Sequence, residues 1–226
     1  MGNTDFSAMT EQLKFRAGNN AALDSAGASS LNYYQIWLNQ AYRQLCSQEY
    51  VLGLKKRLYF PQLFTSTTAA TVDGQAYVSV PTGCLYITEV FDTTNGKKLK
   101  HITWKQYIEY TDRTTAASEG DPTEWTRSGG RIYVHPTADA AMTLTIYYKK
   151  LPTDLSGTLT TVIGAEWDDA IIELAAYKMF SWLHEYEKSK VVKESFLEMA
   201  AGLADCYHNE NKDRDESFGP STSYLS

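Results

Sequence analysis

Two runs of strict alternation lie close together past the middle of the chain. Ile132 and Val134 alternate with Tyr133 and His135, and Met142, Leu144, Ile146 and Tyr148 alternate with Thr143, Thr145, Tyr147 and Lys149. A period of two sends one set of side chains to a core and the other to solvent. The stretch from Gly129 to Leu151 is therefore predicted to hold two half-buried antiparallel strands around a turn that contains Pro136 and Asp139. Helical periodicity flanks it on both sides. Such an order constrains the chain to an α+β fold: N- and C-terminal helices form a bundle, and an antiparallel β-domain, a small sandwich or a rolled sheet, is inserted between them.

Along the chain, Phe6, Met9 and Leu13 mark a short first helix, capped by Asn3 or Thr4 and closed near Gly18 and Asn19. After a linker from Ala21 to Ser30, a second helix is predicted from a Ser30 cap, with Leu31, Tyr34, Leu38, Ala41 and Leu45 as its apolar stripe. Leu58 to Phe64 leads into the β region, where Pro61 indicates an edge or an entry bend. Asp73-Gly74 is expected to join two strands, Thr65–Thr71 and Gln75–Val80, and Asn95-Gly96 to form a type I′ turn after a strand over Leu85–Phe91. Trp104, Tyr107, Ile108 and Thr111 predict a short helix between strands. About six strands result. Glu166, Asp168 and Asp169 crowd the start of a third major helix, where they complement its dipole. Val192, Phe196, Met199, Leu203 and Cys206 form the seam of a fourth. The predicted boundaries are residues 1–56 and 153–209 for the helices of the bundle, 57–152 for the β-domain and 210–226 for a flexible tail, too polar to order itself alone.

Chemistry finds little footing in this sequence. The four histidines, His101, His135, His184 and His208, are scattered without metal-ligand spacing. No phosphate loop, dinucleotide fingerprint or nucleophile elbow is present. Catalytic, cofactor-binding and metal-ligating residues are accordingly expected to be none, and the protein is not expected to be an enzyme or to need a cofactor. Cys46, Cys84 and Cys206 are an odd number without a CxxC pair, which suggests buried thiols in a reducing compartment. A net charge of −6 with no basic run argues against a nucleic-acid groove. No stretch approaches the ~20 apolar residues of a membrane span, and the start lacks the pattern of a secretory signal. A soluble chain made in the cytosol is expected.

Several stretches, in their order, carry a resemblance. They are the helical run Tyr34-Gln-Ile-Trp-Leu-Asn-Gln-Ala-Tyr-Arg-Gln-Leu45, the strand entry Asp73-Gly-Gln-Ala-Tyr-Val-Ser-Val-Pro81, Gly120-Asp-Pro122 followed by Gly130-Arg-Ile-Tyr-Val-His-Pro136, and Leu144-Thr-Ile-Tyr-Tyr-Lys-Lys-Leu-Pro152 before a closing helical pair. The sequence resembles the head-to-tail connector (adaptor, head completion) proteins of tailed bacteriophages. That resemblance implies a structural virion protein of the neck, assembled in the host cytoplasm as a homo-oligomeric ring, a dodecamer. The ring would dock on the portal protein, meet a tail tube or nozzle protein and let DNA pass without sequence-specific binding. It also implies that the tail reaches the portal, with Phe218, Tyr224 and Leu225 as docking candidates, and that Trp104, Tyr107 and Tyr147 are subunit-interface candidates.

Two alternatives stay open at this point. One is a tail-side completion or tube-facing protein, since the β-domain is large for a mostly helical adaptor. The other is a glycan-binding β-sandwich, which could stack sugars on Tyr77, Tyr86, Tyr133, Tyr147, Trp104 and Trp125.

Overall fold

The computed structural model describes residues 4–25, 31–113 and 119–218. In chain order its elements are α1 (Phe6–Arg16), α2 (Tyr33–Ser47), β1 (Phe64–Ala70), β2 (Tyr77–Ser79), β3 (Cys84–Asp92), β4 (Lys97–Lys98) and β5 (Lys100–His101). Then come α3 (Trp104–Arg113), β6 (Glu124–Ser128), β7 (Arg131–His135), β8 (Thr143–Lys150), α4 (Asp168–Trp182) and α5 (Tyr186–Phe218). The fold is α+β, and it divides into a helical unit, residues 1–61 with 152–226, and a β unit, residues 62–151.

In the helical unit, α4 is apolar nearly all round, and α1, α2 and α5 pack against it. The predicted stripe of α1 is fully buried. Its cap is Asp5, in place of the expected Asn3 or Thr4, and the Asp5 carboxylate accepts from the Ala8 N–H at 2.8 Å. Thr4 is diverted: its N–H donates to the Asp168 carboxylate. Helix α2 starts at Tyr33, not after Ser30, because Asn32 and Gln35 form a reciprocal capping box. Leu31 is thus left outside the helix, while Tyr34, Leu38, Ala41 and Leu45 are buried as predicted.

Helix α5 differs more from expectation. Its buried seam is Phe196, Ala200 and Ala204, small residues that admit close helix packing, with Val192, Met199 and Leu203 on its half-buried flanks. Cys206 is exposed and Cys84 half-buried, so only Cys46 is the buried thiol the sequence suggested. The α5 backbone also continues to Phe218, through a charged stretch assigned above to the tail. No Gly or Pro interrupts that stretch before Gly219-Pro220.

The β unit is a sandwich of two four-stranded sheets, β1-β8-β3-β4 and β2-β7-β6-β5, antiparallel except for β5 with β6. Val90, Leu144, Ile146 and Tyr148 from the first sheet meet Val78, Trp125, Ile132 and Val134 from the second in one core. Among the described residues eight strands replace the expected six, two of them only two residues long. The alternation predicted the core-facing residues of β7 and β8 correctly, but not their partners, and Lys149, expected toward solvent, is buried. Strands β7 and β8 lie in different sheets, and so do β1 and β2, so Asp73-Gly74 is an arch between sheets and not a hairpin. Only Gly96 of the Asn95-Gly96 pair has positive φ, which rules out type I′. The β3–β4 loop spans four residues and is held by the Asp92 carboxylate, which accepts from the N–H groups of Thr94 and Asn95. The tightest hairpin is β6–β7, where Gly129-Gly130 alone separates Ser128 from Arg131 and Gly129 supplies φ of 58°.

Candidate interaction surfaces

Among the described residues no group of His, Cys, Asp or Glu could hold a metal ion, and no helix is long and apolar enough to cross a membrane. Three surface regions stand out.

The first is aromatic and lies on the outer face of the β2-β7-β6-β5 sheet. Thr103 and Gln106 cap α3 reciprocally and fix its entry over this face. Tyr107 then buries its ring against Tyr133 at 5.3 Å, and Trp104 stacks on Tyr107 at 5.3 Å and an interplanar angle of 17°. Tyr133 also meets Tyr77 at 5.8 Å, and the Arg131 guanidinium sits 4.0 Å above the Tyr77 ring. Tyr110 stacks on His135 at the strand end. Burial, and then the neighbouring Tyr133, push the Tyr107 hydroxyl above its ordinary pKa. The array is mostly self-covered. Trp104, 40% exposed, is its open face.

Of the three subunit-interface candidates, Trp104 and Tyr107 are thus brought together, whereas Tyr147 is placed on the outer face of the other sheet. There it is 44% exposed, between Ser66 and Glu89 on the adjacent strands. These positions also weaken the aromatic platform imagined for glycans. Trp125 is buried in the sandwich core, and the rings of Tyr77 and Tyr133 are occupied by their neighbours. The two exposed rings face away from each other on opposite sheets.

A second aromatic group belongs to the helical unit and was missed from sequence. Tyr33 stacks on Trp37 at 5.7 Å and on Trp182 at 5.4 Å, joining the start of α2 to the end of α4. Trp182 is 53% exposed and nearby Tyr186 is 67% exposed. Trp37 lies beside the apolar stripe predicted for α2. Its partner Trp182 sits 145 positions away, beyond the range of any local pattern.

The third region is the side of the sandwich where β1 and β2, both edge strands, leave a groove of about 560 Å³. Its walls are Thr67, Thr68, Ala69 and Ala70 from β1 and the segment 77–82 from β2 onward, and Ile146 and Tyr148 reach into it. A signal was present in the sequence: from Leu58 to Thr88 a single charged side chain occurs, Asp73. The opposite side of the sandwich is edged by Lys97, Lys98 and Lys100 on very short strands, the usual guard against unwanted pairing.

Charge divides between the units. The β unit holds nine carboxylates and nine cations, whereas the helical unit's residues hold eighteen and twelve, so the whole negative excess belongs to the latter. Of the tail candidates, Phe218 is the last residue of α5, and Tyr224 and Leu225 lie outside the described residues.

A helical bundle interrupted by a β-sandwich is the arrangement on which the comparison with known proteins bears. No curated protein is a significant match. The model of the family described as SU10 adaptor protein matches residues 4–223, through both the helical and the β unit, and the chain belongs to that family.

Proposed function

We propose that this protein is a structural component of the head-to-tail junction of a tailed bacteriophage, an adaptor that works by assembly and not by chemistry. The observation that carries this reading is the family match over residues 4–223. Copies of the chain form a closed ring of about twelve subunits through a heterologous interface. One side of the ring docks on the portal protein and the other receives a tail tube or nozzle protein. DNA passes through the lumen, in the neck of a virion put together in the host cytoplasm.

Two physical features support it. Exposed Trp104, Tyr147, Trp182 and Tyr186 supply the amphipathic aromatic area that protein interfaces favour. The negative excess of the helical unit repels a phosphate backbone, and a conduit needs a wall that DNA does not grip.

Native mass spectrometry of the chain, alone and mixed with the portal ring of the same phage, tests the proposal. About twelve copies added per portal ring, by the closed-ring argument, are expected. A chain that never joins the portal ring refutes it.

A further inference from the structure

The open side of the sandwich is an unfinished layer. Strand β1 points Thr65, Thr67 and Ala69 inward, opposite Tyr148, Ile146 and Leu144 of β8. Where β8 supplies large apolar side chains, β1 supplies small ones, and the missing volume is the groove between β1 and β2. Among the described residues both strands are sheet edges, each hydrogen-bonded to one neighbouring strand. Strand β1 has seven residues, Phe-Thr-Ser-Thr-Thr-Ala-Ala, without charge, Gly or Pro. Natural sheets normally blunt such an edge, as Lys97, Lys98 and Lys100 blunt the other side of this sandwich. An uncharged edge beside a gap in the core has the form of a strand-addition site, in which backbone hydrogen bonds give affinity and alternate side chains fill pockets.

The groove specifies its occupant by chemistry. No charged residue lines it; the walls are hydroxyl groups, Gln75 and apolar side chains. A matching segment is extended, uncharged, rich in Ser and Thr, and carries large apolar groups to reach Ile146 and Tyr148. Three stretches of this chain outside the described residues hold no charge and at least five residues. Ala26-Gly-Ala-Ser-Ser30 and Thr114-Thr-Ala-Ala-Ser118 have no large apolar side chain. Gly219-Pro-Ser-Thr-Ser-Tyr-Leu-Ser226 has six residues beyond the proline, four hydroxyl-bearing Ser and Thr, and Tyr224 with Leu225.

We propose that residues 221–226 of one copy of this chain add as a strand to the β1 edge of a neighbouring copy and fill its β1–β2 groove. The contact is heterologous, a tail on one copy and a groove on the next, so it propagates around a ring. It gives Tyr224 and Leu225 a destination within the ring instead of on the portal. The proposal rests on the ring reading above, since a copy must have neighbours to engage.

Mixed-copy cross-linking tests it. One variant carries Thr68→Cys in the groove, the other Ser223→Cys in the tail, both with exposed Cys206 replaced by Ser. The two are combined with the portal ring and treated with a short bismaleimide. The expected product is a covalent dimer containing one copy of each variant. Adding Ser79→Lys to the groove copy places a charge at an exposed position of the lining and is expected to cut that product at least tenfold. Chains that load on the portal but link Ser223→Cys only to the portal, only within one copy, or not at all overturn the proposal. So does a yield unaffected by Ser79→Lys. Loading is read separately by native mass spectrometry; if no chain loads, the ring reading fails and the proposal falls with it.

Discussion

The side chain of Asn39 and the backbone of Leu155 hold each other by two hydrogen bonds. Asn39 Nδ2 donates to the Leu155 carbonyl at 3.0 Å, and the Leu155 N–H donates to Asn39 Oδ1 at 2.7 Å, both buried. A primary amide presents the same donor and acceptor as a peptide group, so α2 receives the returning chain much as a strand receives its neighbour. Replacing Asn39 with Ala leaves two buried backbone groups without partners. Urea unfolding is expected to show a loss of about 2 to 4 kcal/mol, from the cost of unsatisfied buried groups. Asn39→Asp, which cannot donate and adds a charge, is expected to be no better. A loss below about 0.5 kcal/mol for Asn39→Ala would count against this contact.

Asp168 lies at the start of α4 but does not serve only that helix's dipole. Its buried carboxylate accepts from the Thr4 N–H and from Thr161 Oγ1, each at 2.8 Å. Burial raises its pKa above the ordinary 3.8, against the opposing effect of those hydrogen bonds. A carboxyl whose folded-state pKa exceeds its unfolded value binds its proton more tightly when folded, so its contribution to stability is greatest at low pH. It declines as pH rises from about 3.8 through the raised value. Unfolding curves of wild type and Asp168→Asn across pH 3 to 7 should therefore diverge in slope, the variant lacking this downward component. Parallel slopes would contradict the assignment.

Glu173 on α4 is buried and pairs with Arg16 at the end of α1, at 2.5 Å. Removing the cation strands a carboxylate in the interior, whereas removing both charges does not. Arg16→Met is expected to cost about 1 to 3 kcal/mol, discounted because Arg16 is partly exposed. The double change Arg16→Met with Glu173→Leu should recover most of that loss. Thermal unfolding of the single and double variants measures the coupling directly.

Trp104 and Tyr107 stack on each other yet predict opposite phenotypes. Tyr107 is buried between α3 and the sheet, and Tyr107→Ala should destabilise the β unit by about 3 kcal/mol. Trp104 is the exposed outer ring, and Trp104→Ala should cost less than about 1 kcal/mol in the isolated chain. If Trp104 lies in a subunit interface, the same change should lower the number of copies retained on a portal ring. Full occupancy by a Trp104→Ala chain would remove it from the interface.

Local patterns revealed the stripes of α1 and α2, the faces of β7 and β8, and the α+β order, because each is written within a few consecutive residues. Partnership was not so written. Ile132 and Leu144 both announce a core-facing residue, but nothing near them says that they meet from opposite sheets. Asn39 is buried beside the uninterrupted stripe of α2, and no local pattern names Leu155, 116 positions away, as its partner. The Lys97, Lys98 and Lys100 edge and the uncharged run through β1 were visible as composition. They acquire meaning only once both are known to be sheet edges.

The interruption of the helical unit by the β unit also sets an order of events on the ribosome. Residues 62–151 are contiguous, and the sandwich closes all its strand pairs within that span, so it can fold as soon as it has emerged. Helices α1 and α2 are made before the insert, but their apolar faces wait for α4, whose residues are translated only after it. A sandwich that collapses early turns the long tether between α2 and α4 into a short one and lowers the loop-closure entropy that bundle formation must overcome. Helices α1 and α2, made before the insert, are thus among the last elements to be buried, and a ribosome stalled before Asp168 would leave the stripes of both open to chaperones.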